Sequence, residues 1–213
     1  MYCADTGVLL DPAEVKKGRT REITELAEHI AWRYVLPGSV KGAKVVKMRW
    51  VDRVATRKPM KGPVPVKSRL CAQEFAWDLR GDTFAGTPPL ACVKLILSNA
   101  STGVRHAVMV TDITCAFLHA SMSGEPPIVV VIPVGLGPPG KYGLLLVAVY
   151  GTRRASFLWG ETAAQGLAEC GMVRCQGSGQ VFVHETRPMT AAIHGDDIIS
   201  EGEDGDLEFL DKG

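Results

Sequence analysis

Two adjacent carboxylates, Asp196 and Asp197, stand between the apolar runs Ala191-Ala192-Ile193 and Ile198-Ile199. Like charges so close raise each other's pKa, and apolar surroundings add a desolvation cost. A hard divalent cation removes both problems, because Mg²⁺ takes one or two carboxylates together with substrate phosphates. An Asp-Asp pair in a turn can also simply sit in water. Asp112 ends another apolar run, Ala107-Val108-Met109-Val110, 84 residues before Asp196. A carboxylate there is either a helix N-cap or a ligand. Three carboxylates on two strand ends would hold two metal ions for in-line phosphoryl transfer, lowering the pKa of an attacking hydroxyl and stabilising the leaving oxygen. His119, Cys115 and Cys92 lie near Asp112 in sequence, yet their spacing builds no nucleophilic triad and core packing accounts for them. His194 reads as a partly exposed turn residue.

Charge is unevenly spread along a chain whose net charge is +1. Lys41, Lys44, Lys47, Arg49, Arg53, Arg57, Lys58, Lys61, Lys67 and Arg69 face one acid, Asp52, giving +9 between Lys41 and Leu70. Gly195–Gly213 carries eight acids against Lys212, giving −7. A polyanion would meet the first segment and divalent cations the second, while charge alone equally allows two solvated faces.

These residues need elements to carry them. Helical spacing of Ile23, Leu26, Ala27, Ile30 and Tyr34 predicts a helix from Glu14 to about Tyr34, ended by Pro37-Gly38. Lys44–Val51 and Val66–Ala72 read as strands around the turn-rich Lys58–Pro63, with Val46, Met48 and Trp50 inward and Lys47 and Arg49 outward. Thr87-Pro88-Pro89 opens an apolar helix, with Thr87 as its cap. His106–Thr111 is a strand delivering Asp112; Ile128–Ile132 and Leu144–Val149 are buried strands or helix; Ser156–Cys170 is helix-like. Gln180–His184 and Met189–Ile193 are strands, the second turning at His194-Gly195-Asp196-Asp197 into Ile198-Ile199-Ser200. The mixture predicts an α+β fold around an antiparallel sheet.

At 213 residues and 46% hydrophobic, the chain suits one well-buried domain or two small ones, and excludes a disordered class. The longest apolar stretch, around Ile128–Val134, is broken by Pro133 and falls short of a membrane span. The start, Met1-Tyr2-Cys3-Ala4-Asp5, lacks a signal peptide's features. An intracellular chain, cytoplasmic or nuclear and without a membrane partner, is expected. Six cysteines without a C-x-x-C pair are expected to be reduced thiols rather than a zinc site.

Six ordered segments carry a family resemblance. Val110-Thr111-Asp112-Ile113-Thr114-Cys115-Ala116-Phe117-Leu118-His119-Ala120 resembles the first catalytic motif of copia-type retrotransposon reverse transcriptases. Val149-Tyr150-Gly151-Thr152-Arg153-Arg154-Ala155-Ser156-Phe157-Leu158-Trp159 is similar to the family's Leu-Tyr-Gly-Leu-Arg-Gln-Ala-Pro-Arg-x-Trp. His194-Gly195-Asp196-Asp197 stands where the family has Tyr-Val-Asp-Asp. Upstream, Arg49-Trp50-Val51, Lys67–Gln73 and Thr83–Leu90 resemble the fingers segment in the same order. The resemblance runs from about Glu22 to Ser200.

It implies right-hand polymerase fingers and palm, with an antiparallel palm sheet, packed helices and no thumb. The division it suggests is an N-terminal helical leader over 1–29 and a C-terminally truncated fingers-palm domain over 30–213. Its implied activity is RNA-directed DNA synthesis from deoxynucleoside triphosphates on an RNA template and DNA primer, as part of a retrotransposon polyprotein. Asp112, Asp196 and Asp197 would bind two Mg²⁺ (or Mn²⁺) ions. Lys67 and Arg69 would grip the triphosphate, Phe117 would floor the sugar pocket and exclude a 2′-hydroxyl, and Tyr150 and Gly151 would lie over the templating base pair.

Departures from the family pattern set the alternatives. His194-Gly195 replaces Tyr-Val, which predicts a looser carboxylate turn without an apolar anchor. Arg154 and Ser156 replace Gln and Pro. The family's later palm, thumb and ribonuclease H lie beyond the sequence, so feeble extension by the isolated chain is expected. A non-catalytic nucleic-acid-binding remnant is the alternative, and an unrelated metal-dependent phosphohydrolase a third. Oligomeric state is left open.

Overall fold

Asp11 starts the first element: its carboxylate accepts the Ala13 and Glu14 backbone N–H groups at 2.7 and 3.3 Å, with Pro12 next in line. The structure, a computed structural model, describes residues 1–55, 63–75, 86–103 and 105–212. The turn expected at Lys58–Pro63 lies mostly outside the described residues, as do Arg57, Lys58, Lys61 and the Thr83-Phe84-Ala85 part of its motif. In chain order the elements are α1 (Pro12–Glu28), β1 (Trp32–Val35), β2 (Lys44–Val54), β3 (Val66–Ala72), α2 (Leu90–Thr102), β4 (His106–Asp112), a 3₁₀ turn (Ala116–His119), β5 (Ile128–Val131), β6 (Tyr142–Leu145), α3 (Ala155–Glu169), β7 (Met172–Arg174), β8 (Val181–His184), β9 (Thr190–His194), β10 (Asp197–Glu203) and α4 (Asp204–Lys212). The α+β expectation holds. No described helix is long and apolar enough to cross a membrane.

The chain forms two compact units, Met1–Leu79 with Phe117–Ala155, and Arg80–Ala116 with Ser156–Gly213. In the first, a five-stranded sheet runs β1-β6-β5-β2-β3. Its β2–β5 pair is parallel, a pairing that the expectation of an antiparallel sheet did not include. Strand β3 is its edge, and α1 covers it: a Cβ added at Gly18 would stand 2.5 Å from the Val66 carbonyl oxygen. Covering an edge with a helix hides backbone groups that would otherwise template aggregation. Along β2, Val46 and Asp52 are buried while Lys47, Arg49 and Arg53 are exposed. Among the apolar groups, Cys3, Leu10, Val15 and Val66 pack as one cluster.

The helix expected to run to Tyr34 ends at Glu28, and Trp32–Val35 is a strand instead. The cause is a Schellman cap: Ala31 N–H reaches the Leu26 carbonyl at 2.9 Å and Ile30 N–H the Ala27 carbonyl at 3.0 Å, with Ile30 at φ +49°. That left-handed position usually belongs to Gly. The expected stripe is also displaced, since α1 buries Val15, Gly18, Glu22 and Leu26 while Ala27 and Ile30 are exposed.

The second unit is an antiparallel sheet, β4-β10-β9-β8-β7. Ile96 of α2 packs with Val181 and Ala192 from β8 and β9. Pro89 caps α2, and no side chain donates or accepts at that cap, so Thr87 does not have the role expected of it.

Candidate active site

The register of the second sheet decides where the carboxylates go. Strand β10 lies between β4 and β9, and Asp197 is the direct cross-strand partner of Asp112. Directly opposed residues on antiparallel strands share a face, with Cβ atoms roughly 4.5–5.5 Å apart. Asp112 is exposed and Asp197 half-buried. On the other side of β10, Asp197 pairs with His194, so Gly195 and Asp196 form a two-residue loop. Gly195 has φ +69° and Asp196 is not among the positive-φ residues, the pattern of a type II′ hairpin turn. Glycine at the first loop position is what that turn requires.

Both loop peptides are tied down. The Ile113 N–H donates to the Asp196 carbonyl at 3.0 Å, linking the turn to the residue after Asp112. The indole N–H of Trp159, a side chain 5% exposed on α3, donates to the Gly195 carbonyl at 2.7 Å. The looser turn expected from His194-Gly195 is therefore a well-anchored one. Asp196 is exposed on this turn. Among the described residues, no three His, Cys, Asp or Glu side chains are gathered as a metal cage. The structure thus pairs Asp112 with Asp197 and leaves Asp196 beside them on the loop. That donor set fits Mg²⁺, which is held by one or two carboxylates with substrate phosphates rather than by an all-protein cage.

A different set of expected residues meets in the first unit. Arg69 stacks its guanidinium 5.0 Å from the centre of the Tyr150 ring, and Phe117 meets the same ring edge-on at 4.9 Å. Tyr150 and Gly151 dock on the end of β3, where Ala72 N–H donates to the Tyr150 carbonyl at 2.7 Å and Glu74 N–H to the Gly151 carbonyl at 3.3 Å. Gly151 has φ +85°, and an added Cβ would stand 2.0 Å from the Ala72 carbonyl oxygen. Buried Glu74 accepts the Arg153 N–H at 2.9 Å and pairs with Lys44 at 3.2 Å. Lys67 is exposed on the same β3 face as Arg69, opposite Arg53.

Arg69 is held from α1. Its guanidinium donates to Glu22 at 2.7 Å and lies 3.5 Å from Glu25, while the other Glu22 oxygen accepts the Leu70 N–H at 2.9 Å. Burial pushes the Glu22 carboxyl above its ordinary pKa, against the lowering effect of Leu70 N–H and Arg69. Asp52 is the opposite case. Burial raises it, but Arg19 (3.2 and 2.6 Å) and the Ser68 hydroxyl (2.8 Å) outweigh that and hold it below the usual range.

Residues 31–210 match the family model of reverse transcriptase (RNA-dependent DNA polymerase). The chain belongs to that family. Each motif that carries the copia-type resemblance, from Arg49 to Asp197, falls inside the span matched to reverse transcriptases. No curated protein matches the chain.

Three contacts of this reverse transcriptase chain differ in how far the sequence signals them. Trp159 belongs to a recognised motif, yet nothing in its spacing points to Gly195. Glu22 sits among Glu25 and Glu28, and helical periodicity treats all three as outward. Asp52 carried a usable signal, since it continues the inward alternation Val46, Met48, Trp50.

Proposed function

We propose that this chain is the fingers-and-palm part of a copia-type reverse transcriptase, with residues 30–213 as that domain and 1–29 leading into it. The observation that supports a polymerase site best is the opposition of Asp112 and Asp197. Like charges directly opposed across strands destabilise a sheet, and a divalent cation reverses that cost. Asp112, Asp196 and Asp197 are the carboxylates for Mg²⁺ or Mn²⁺. When bound, such ions lower the pKa of an attacking primer hydroxyl and stabilise the leaving oxygen of an in-line displacement.

The remaining roles belong to the chain's own side chains. Lys67 and Arg69 bind the triphosphate of the incoming nucleotide, Arg69 as a planar fork suited to phosphate oxygens. Its ion pairs with Glu22 and Glu25 hold that fork in place before a ligand arrives. Phe117 floors the sugar pocket, braced edge-on by Tyr150. Tyr150 and Gly151 lie over the templating base pair. The exposed basic face of β2 and β3 (Lys47, Arg49, Arg53 and Lys67) holds RNA template and DNA primer through phosphates. Cytoplasm or nucleus would be the working compartment.

The test is deoxynucleotide- and Mg²⁺-dependent extension of a DNA primer on an RNA template, with Asp112→Asn and Asp197→Asn alongside. Both substitutions should abolish extension and leave template–primer affinity nearly unchanged. Extension that survives both overturns the polymerase site. Salt-sensitive binding with no extension by the wild type leaves the non-catalytic binding remnant in its place.

A further inference from the structure

Trp159 is buried, yet its one polar group is spent on a loop carbonyl beside two carboxylates. Buried indole N–H groups take partners because an unmade hydrogen bond is costly. The choice of partner is what informs here. Gly195 at φ +69° and Asp196 form the whole loop between β9 and β10, and each has its carbonyl accepting one hydrogen bond from outside the hairpin. One comes from α3 through Trp159. The other comes from Ile113, the residue after Asp112. The loop is therefore pinned to a helix on one side and to the Asp112 strand on the other.

We propose that Trp159 is a positioning residue for the carboxylate turn: its indole N–H, acting with the Ile113 N–H, keeps Asp196 and Asp197 placed against Asp112 for a divalent cation. This rests on the reading of those carboxylates as the cation site. It also explains how a His194-Gly195 hairpin keeps its geometry. The turn type comes from glycine, and the hold comes from main-chain carbonyls rather than from an apolar side chain before the aspartates.

The experiment compares wild type with Trp159→Phe, which keeps an aromatic ring and removes the donor. Two quantities are read: amide hydrogen exchange at Ile113, and affinity for Mn²⁺ alone by electron paramagnetic resonance. Exchange at Ile113 should speed up about tenfold and Mn²⁺ affinity fall roughly five- to tenfold, the scale of one lost hydrogen bond. Phe182 and Ala191, deeper in the sheet, should keep their protection; a merely structural tryptophan would loosen them too. Should Trp159→Phe fail to fold, Gly195→Ala replaces it, because open space surrounds the added methyl and only the positive φ resists it. It should likewise speed exchange at Ile113 and weaken Mn²⁺ binding. Unchanged Ile113 exchange in the variants overturns the proposal. Wild-type Mn²⁺ binding that survives Asp112→Asn overturns the cation reading instead, and is told apart because Ile113 exchange still rises in the tryptophan variant.

Discussion

Arg69 in the first unit is gripped by side chains, Glu22, Glu25 and the Tyr150 ring, whereas Asp112 and Asp197 in the second are set by strand register and by a turn whose carbonyls accept from Trp159 and Ile113. The first arrangement buries charge and must satisfy it locally. The second leaves its carboxylates in or near solvent and fixes only the backbone beneath them. On the proposed reading, Glu22 and Glu25 preset Arg69 for an anion, and the strand ladder and the turn set the carboxylates for a cation. Substitutions should therefore act through side-chain satisfaction in one unit and through backbone conformation in the other.

The two motif glycines break that comparison most sharply. Gly151 combines φ +85° with a Cβ position 2.0 Å from the Ala72 carbonyl oxygen, while Gly195 combines φ +69° with open space. Gly151→Ala must strain φ and push β3 away, a loss of about 3 kcal/mol or more. Gly195→Ala pays only the conformational term, about 1–2 kcal/mol. Urea midpoints of the two variants measure the gap. Equal losses would mean that the Tyr150-Gly151 segment does not dock on β3 as described.

Asp52 comes next. Removing it by Asp52→Ala strands the Arg19 guanidinium and the Ser68 hydroxyl in a buried setting, with an expected loss of about 2–3 kcal/mol. Ser68→Ala alone removes one neutral donor, and should cost about 1 kcal/mol. A double-mutant cycle between Arg19 and Asp52 sharpens the point. Coupling near zero would show that the pair is solvated in solution and that the first unit is not held by buried charge.

Much of the candidate site was legible because its signals are local. An Asp-Asp pair between two apolar runs marks the β9–β10 hairpin, and alternation marks the basic face of β2. Other features depend on partners far away in sequence. The end of α1 carries no glycine signal, because Ile30 takes the left-handed cap position. Glu22 lies off the apolar stripe, and periodicity sees a carboxylate there rather than the Leu70 N–H and Arg69 that meet it 48 and 47 residues on. Charge alone allows the acid-rich tail either a cation or a solvated face, and part of it has a local role: Asp204 and Asp206 stand in the first turn of α4, where a helix N-terminus favours them. Asp206 also pairs with Arg187 at 2.6 Å.

The smallest expected effect is a difference in pH slope between two carboxylates of the first unit. Glu22 is raised by burial, so the folded chain keeps its proton to higher pH than the unfolded chain does. Stability from this group is then greatest below the unfolded value of about 4.3 and declines as pH rises through the raised folded value. Asp52 is lowered, so its contribution is present above about 3.9 and is lost as pH falls through the depressed folded value. Glu22→Gln keeps an acceptor for the Leu70 N–H and cannot ionise. Its unfolding free energy should match the wild type near pH 4 and gain on it toward pH 8, by about 1 kcal/mol or less. Asp52→Asn should instead fall further behind the wild type as pH rises from 3 to 5. Parallel pH curves for wild type and Glu22→Gln would show that solvent reaches Glu22, and that Arg69 is held by an ordinary surface pair. Opposite slopes from neighbouring carboxylates are the mark of a region in which burial and counter-charge compete residue by residue.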